Sequence, residues 1–189
     1  MDEIDRERRG GILLRVARSA IAHEFGLERL YEPPLEPWMT NHEATFVTLT
    51  IDDELRGCIG TIEARRPLLE DLGSHARAAA FSDPRFPPLT LEEYPKIRVE
   101  VSVLSPTEEI EFRDEKDALS KIRPFIDGIV FRSGYNQSTF LPQVWEKLPD
   151  PKAFLGHLKR KAGLPVDHWS DDVQLFRYTL LKWEEKSQR

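Results

Sequence analysis

The chain contains one cysteine, Cys58, within Leu55-Arg56-Gly57-Cys58-Ile59-Gly60-Thr61. A thiol acts as nucleophile or metal ligand in its thiolate form, and neighbouring positive charge favours that form. Arg56 stands two residues earlier, and strict strand alternation would turn Arg56, Cys58 and Gly60 to one face. The stretch has the composition of a strand, yet Gly57 and Gly60 give up side-chain packing. Glycine inside a strand often marks close approach by a ligand or another backbone. Two chemistries therefore suit it: a thiol nucleophile, or a close-fitting groove that receives a partner.

Other residues could complete either arrangement. His75 is the natural base for a Cys–His pair, although helical spacing sets it at the margin of a buried stripe. Cys58 and His75 lack a third ligand at any recognisable spacing, so no metal is expected, and no cofactor motif is evident. Asp83 and Arg85 lie in a proline-rich loop, either as an ion pair fixing it or with Arg85 free to bind a carboxylate or phosphate. Glu100 is a possible general base if its strand face lines a cleft. Gly57, Gly60, Thr61, Arg85, Glu100 and Gln143 form the expected binding set. The expected catalytic set is Cys58, Arg56 and His75.

These residues need elements to hold them. Arg6 to Phe25 has an apolar stripe of Ile12, Leu13, Val16, Ala17, Ala20, Ile21 and Phe25, hence a helix, with Gly26 suited to cap it. Tyr31 to Trp38, rich in proline, reads as an extended connector. Thr45 to Ile51 alternates, Asp52-Asp53-Glu54 turns, and Leu55 to Ile62 returns as a hairpin. A helix opening at Arg65-Arg66-Pro67 runs to about Phe81. Thr90-Leu91-Glu92-Glu93 resembles a capping box, and Ile97 to Leu104 is a strand with valines on one face. Asp114 to Arg123 predicts a helix, Ile129 to Phe131 and Ser138 to Leu141 a second hairpin. Short helices follow around Trp145 and Phe154, and Val173 to Trp183 reads as one last strand.

Composition bounds the function. The chain has 189 residues, 40% of them hydrophobic, enough for one domain or two small lobes. A lone cysteine makes no internal disulfide, which suits a reducing compartment. The charged N-terminus has no apolar run after it and no stretch approaches membrane-spanning length, so a soluble cytoplasmic protein is expected. A net charge of -6 argues against broad nucleic-acid binding.

The cysteine heptad, Asp83-Pro84-Arg85-Phe86-Pro87-Pro88, Val101-Ser102-Val103-Leu104 and Thr139-Phe140-Leu141-Pro142-Gln143-Val144-Trp145 occur in one order. Together they resemble the AMMECR-type family, whose prokaryotic members are called protein A of the AmmeMemoRadiSam system. The resemblance runs from Thr45 to about Trp183. It implies a single AMMECR-type domain over 1–189, an α+β fold of antiparallel sheets packed with helices, and two closely associated lobes with a cleft near the Cys58 strand. It implies association with a Memo-like protein and a radical SAM protein, but no known reaction. The reading is a binding module or accessory subunit with a groove at Leu55–Thr61. A thiol-dependent enzyme is the alternative, and a component of an RNA-modification system a weaker one.

Overall fold

The computed structural model describes residues 2–186; Met1 and residues 187–189 lie outside them. The chain divides into two compact units. One comprises residues up to Leu104 and those from Leu181 on, the other Ser105–Leu180.

The first unit begins with α1 (Glu3–Glu24), whose N-terminus is capped by Asp2 accepting from the Asp5 amide at 2.8 Å. Its buried stripe is Leu13, Val16, Ala17, Ala20 and Ile21. It ends at Gly26, with φ +69°, where the Leu27 amide reaches back to the Ala22 carbonyl. The proline connector contains one short 3-10 turn, Pro37–Thr40, where the sequence predicted only extended chain. Pro37 sits at its first position, where the missing N–H costs nothing.

β1 (Thr45–Ile51) and β2 (Glu54–Gly60) form the expected hairpin. Its turn uses Asp52 and Asp53, both at positive φ, which aspartate tolerates better than most side chains. α2 (Leu68–Phe81) and β3 (Arg98–Leu104) follow. The Thr90–Glu93 capping box forms as predicted: the Thr90 amide donates to Glu93 Oε2 at 2.8 Å and the Glu93 amide to Thr90 Oγ1 at 3.3 Å.

The second unit holds β4 (Glu108–Glu109), α3 (Glu115–Lys121), β5 (Gly128–Ser133), β6 (Asn136–Phe140), α4 (Pro151–Lys161) and β7 (Gln174–Tyr178). Its antiparallel sheet runs β4-β7-β5-β6. Its core includes Phe131, Phe154, Leu158, Leu175 and Trp145, with the indole stacked on Phe154 at 3.7 Å. The indole N–H donates to the Asp127 carbonyl, so Trp145 is a core residue.

β8 (Leu180–Glu184) completes the first unit's sheet, β2-β1-β3-β8. The predicted strand from Val173 to Trp183 is thus two strands in different sheets. The break falls at Thr179, whose carbonyl accepts from the Ser105 amide and whose amide donates to Ser105 Oγ. Those bonds end one pairing before the other begins. The fold is α+β, with two antiparallel sheets packed with helices.

Candidate functional site around the second strand

Alternation sorts the first sheet into two faces. Val47, Leu49, Val99 and Val101 are buried with the apolar stripes of α1 and α2 in one core. On the other face Cys58 lies opposite Thr48, and Thr48 opposite Glu100. Thr48 Oγ1 stands 3.4 Å from Cys58 Sγ, and Lys182 pairs with Glu100 at 2.5 Å. Cys58 is half-buried in this row.

The shared face expected for Arg56 and Cys58 is altered. Thr50 pairs with Leu55 while Leu49 pairs with Gly57, so Arg56 is the extra residue of a β-bulge. Arg56 is buried, and its guanidinium forks onto Glu93 at 2.9 and 3.0 Å and donates to the Pro87 carbonyl. The charge offered to the thiol by the sequence is already matched by a carboxylate. In return, the Arg56 hydrogen bonds hold Glu93 down at a pKa of about 2, with help from the Thr90 amide.

His75 is also elsewhere. Thr45 Oγ1 donates to Asp71 Oδ2 at 2.7 Å, leaving His75 Nδ1 to donate to Thr45 Oγ1 at 2.9 Å and Asp71 Oδ2 at 3.1 Å. Thr45 is three residues from Thr48 in a regular strand, so the two point to opposite faces. His75 with Thr45 and Cys58 with Thr48 therefore stand on opposite sides of the sheet. Burial disfavours the Asp71 charge, but the bonds from His75 and Thr45 outweigh it and hold the carboxyl below its ordinary range. This network leaves Nε2 of a neutral His75 as a proton acceptor.

β2 is an edge strand. Edge N–H and C=O groups invite pairing with another chain. At Cys58 both are capped. Asp83 Oδ2 accepts from the Cys58 amide at 2.8 Å, and Arg85 Nη2 donates to the Cys58 carbonyl at 3.1 Å. Arg85 also grips Asp83 through Nε at 2.9 Å and Nη2 at 2.6 Å. The Arg85 bonds, together with those from the Cys58 and Arg85 amides, overcome burial and keep Asp83 far below the carboxylate range. Asp83 and Arg85 are thus the ion pair expected of the loop, closed around the cysteine's own peptide.

The glycines fit against internal neighbours. A Cβ on Gly57 would collide with the Ala79 carbonyl of α2, and one on Gly60 with the Phe46 ring and the Thr45 carbonyl. The Thr61 amide bonds the Thr45 carbonyl, and Thr61 Oγ1 accepts from Glu63. Gln143 lies exposed in the 3-10 turn Pro142–Glu146 of the second unit.

The AMMECR1 family model matches residues 14–183. The chain belongs to the AMMECR1 family. Protein MJ0810 of Methanocaldococcus jannaschii is 38% identical over 95% of this chain and 92% of its own length. Protein MK0488 of Methanopyrus kandleri is 39% identical over 94% and 88%. The crystal structure of the uncharacterized protein PH0010 from Pyrococcus horikoshii superposes with a TM-score of 0.82 at 37% identity, covering 94% of this chain and 91% of that one.

This AMMECR1 chain holds a further polar cluster that sequence reasoning missed. In the second unit Ser133 Oγ lies 2.9 Å from His168 Nε2 and 3.1 Å from Asp172 Oδ1, and Ser170 Oγ contacts the same two atoms at 3.1 and 2.5 Å. Bonds from Ser170 and then Ser133 lower the Asp172 pKa. The signal was the close spacing of His168, Ser170 and Asp172, which the turn closed by the Val173 amide on the Ser170 carbonyl gathers into one cluster. Asp172 bonds the serines rather than the imidazole, unlike an acid that orients a catalytic histidine. Among the described residues no three His, Cys, Asp or Glu side chains are grouped to hold a metal, and no helix is long and apolar enough to cross a membrane.

Proposed function

We propose that this AMMECR1-family protein is a non-catalytic binding module, an accessory subunit for a Memo-like protein and a radical SAM protein. Its contact surface is the Cys58–Thr61 end of β2 with the Arg85 loop. The clamp of Asp83 and Arg85 on the Cys58 peptide carries this reading. It fixes a proline-rich loop against an edge strand and presents Arg85, whose side chain is 53% exposed, in a set position. A surface ordered before binding loses less entropy on association. The side chains a thiol enzyme would need are dispersed: Arg56 is paired with Glu93, and His75 faces the other way.

The test uses the full chain with the purified Memo-like and radical SAM proteins of the same genome. Cys58→Ser is expected to bind as the parent does, and Arg85→Glu to lose binding. Gly57 and Gly60 make poor probes, because larger residues there would disturb internal packing. The reading fails if neither protein binds. It also gives way to the thiol enzyme if Cys58→Ser abolishes the effect and the Cys58 alkylation rate titrates well below ~8.5, the ordinary thiol value.

A further inference from the structure

β2 leaves one peptide bare at its outer edge. The Thr61 amide bonds the Thr45 carbonyl, so that residue faces β1. In an antiparallel pair successive residues face the partner strand and the open edge in turn. Cys58 and Gly60 therefore both turn amide and carbonyl away from β1, in agreement with the bonds that Asp83 and Arg85 make to Cys58. Asp83 and Arg85 stand where the carbonyl and amide of a neighbouring strand would stand. Gly60 has no such substitute. Neither its N–H nor its C=O makes a hydrogen bond among the described residues, and none of residues 58–63 is fully buried.

Geometry and charge decide what pairs there. A bare edge peptide takes one residue of another extended chain through its amide and its carbonyl. A chain running antiparallel to β2 then meets the clamp at Cys58, which lies roughly 7 Å further on at a rise of about 3.4 Å per residue. It has room for one more residue past the one paired with Gly60 before the clamp blocks it. A chain that stops there in that direction ends in a carboxylate. The clamp suits that group. Asp83 is buried with both oxygens occupied, whereas Arg85 is exposed and its Nη1 makes no hydrogen bond among the described residues. A chain running the other way would bring an ammonium against that guanidinium, which like charge opposes.

We propose, on the binding-module reading above, that β2 receives the extended C-terminal tail of a partner protein. The penultimate residue of the tail pairs with the Gly60 peptide, and its terminal carboxylate accepts from Arg85 Nη1. The carboxylate bond is charge-assisted. Main-chain pairing adds affinity without demanding a particular sequence.

The probes are short peptides ending in the native C-termini of the Memo-like and radical SAM proteins, each made as free acid and as C-terminal amide. They are titrated onto the full chain by calorimetry. At least one free acid is expected to bind about tenfold tighter than its amide, the scale of one charge-assisted bond. Arg85→Gln should erase that difference. N-methylation of the penultimate residue should abolish binding, and hydrogen exchange at the Gly60 amide should slow by about tenfold or more in the complex. An alanine extension after the native C-terminus of the full-length partner should weaken its binding by about tenfold or more, because the clamp blocks the longer chain. Equal affinity of acid and amide, an unprotected Gly60 amide, or undiminished binding of the extended partner would overturn the inference. The binding-module reading survives those results as long as the unmodified partner binds. If neither full-length protein binds, both fall.

Discussion

Two hydrogen-bonded networks, one in each unit, are built on opposite principles. Around β2 the partners are guanidinium and carboxylate, and the bonds converge on backbone groups: the Cys58 peptide, the Pro87 carbonyl and the Thr90 amide. In the second unit hydroxyls and one imidazole share few protons among many acceptors. Charge-assisted bonds to a peptide are strong and fix one geometry. Hydroxyl networks can redistribute their protons. The first should therefore behave as a rigid brace and the second as an adjustable one.

The largest effect should come from the strand the brace holds. Gly57→Val drives a side chain into the Ala79 carbonyl, and destabilisation of about 3 kcal/mol is expected from overpacking, measured by urea unfolding. Asp83→Ala removes an acceptor that is 2% exposed and shared by the Cys58 amide and Arg85; a loss of about 2 kcal/mol follows from deleting the charge-assisted bonds to that buried carboxylate. A loss under 1 kcal/mol would show that water replaces the clamp, and the contrast would weaken. Ser133→Ala, by comparison, should cost about 1 kcal/mol, because Ser170 still serves both His168 and Asp172. A cost equal to that of Asp83→Ala would erase the distinction.

The smallest effect is a pH dependence, because the Glu93 side chain is 30% exposed and water screens its ion pair. Glu93 has its pKa lowered from 4.5 to about 2, chiefly by Arg56. A lowered folded pKa adds stability that is complete above the unfolded value and lost as pH falls through the folded one. The stability difference between the parent and Glu93→Gln should thus be constant above pH 4.5 and shrink toward pH 2. A difference independent of pH over that window would mean that the pair contributes through packing instead of charge.

Much of this was legible from local signals. Period-two burial named β1 and β3, Gly26 named the C-terminal end of α1, and the Thr90–Glu93 box formed as read, whereas α1 begins at Glu3 behind its Asp2 cap and not at Arg6. The AMMECR-type motifs named the family that the full comparison shows. What escaped depended on partners distant in sequence. The Arg56 bulge follows from Glu93 and Pro87, which lie 37 and 31 residues away. The separation of His75 from Cys58 follows from which side of the sheet α2 covers, and no spacing within the helix states that. The split at Thr179 is set by Ser105, 74 residues earlier. Glycine spacing marked close approach at Gly57 and Gly60 without saying that the approaching atoms were the protein's own.

The return of β8 to the first unit bears on how the chain is made. Trp183 occupies the space a side chain at Gly10 would need and donates to the Arg6 carbonyl, and Glu185 binds both Arg18 and the Val99 amide. A ribosome delivers those residues after everything they touch. The second unit is one unbroken segment and has all its strands before that point. Synthesis from N- to C-terminus therefore favours the later-made unit finishing first, with α1 and its sheet waiting for the final strand.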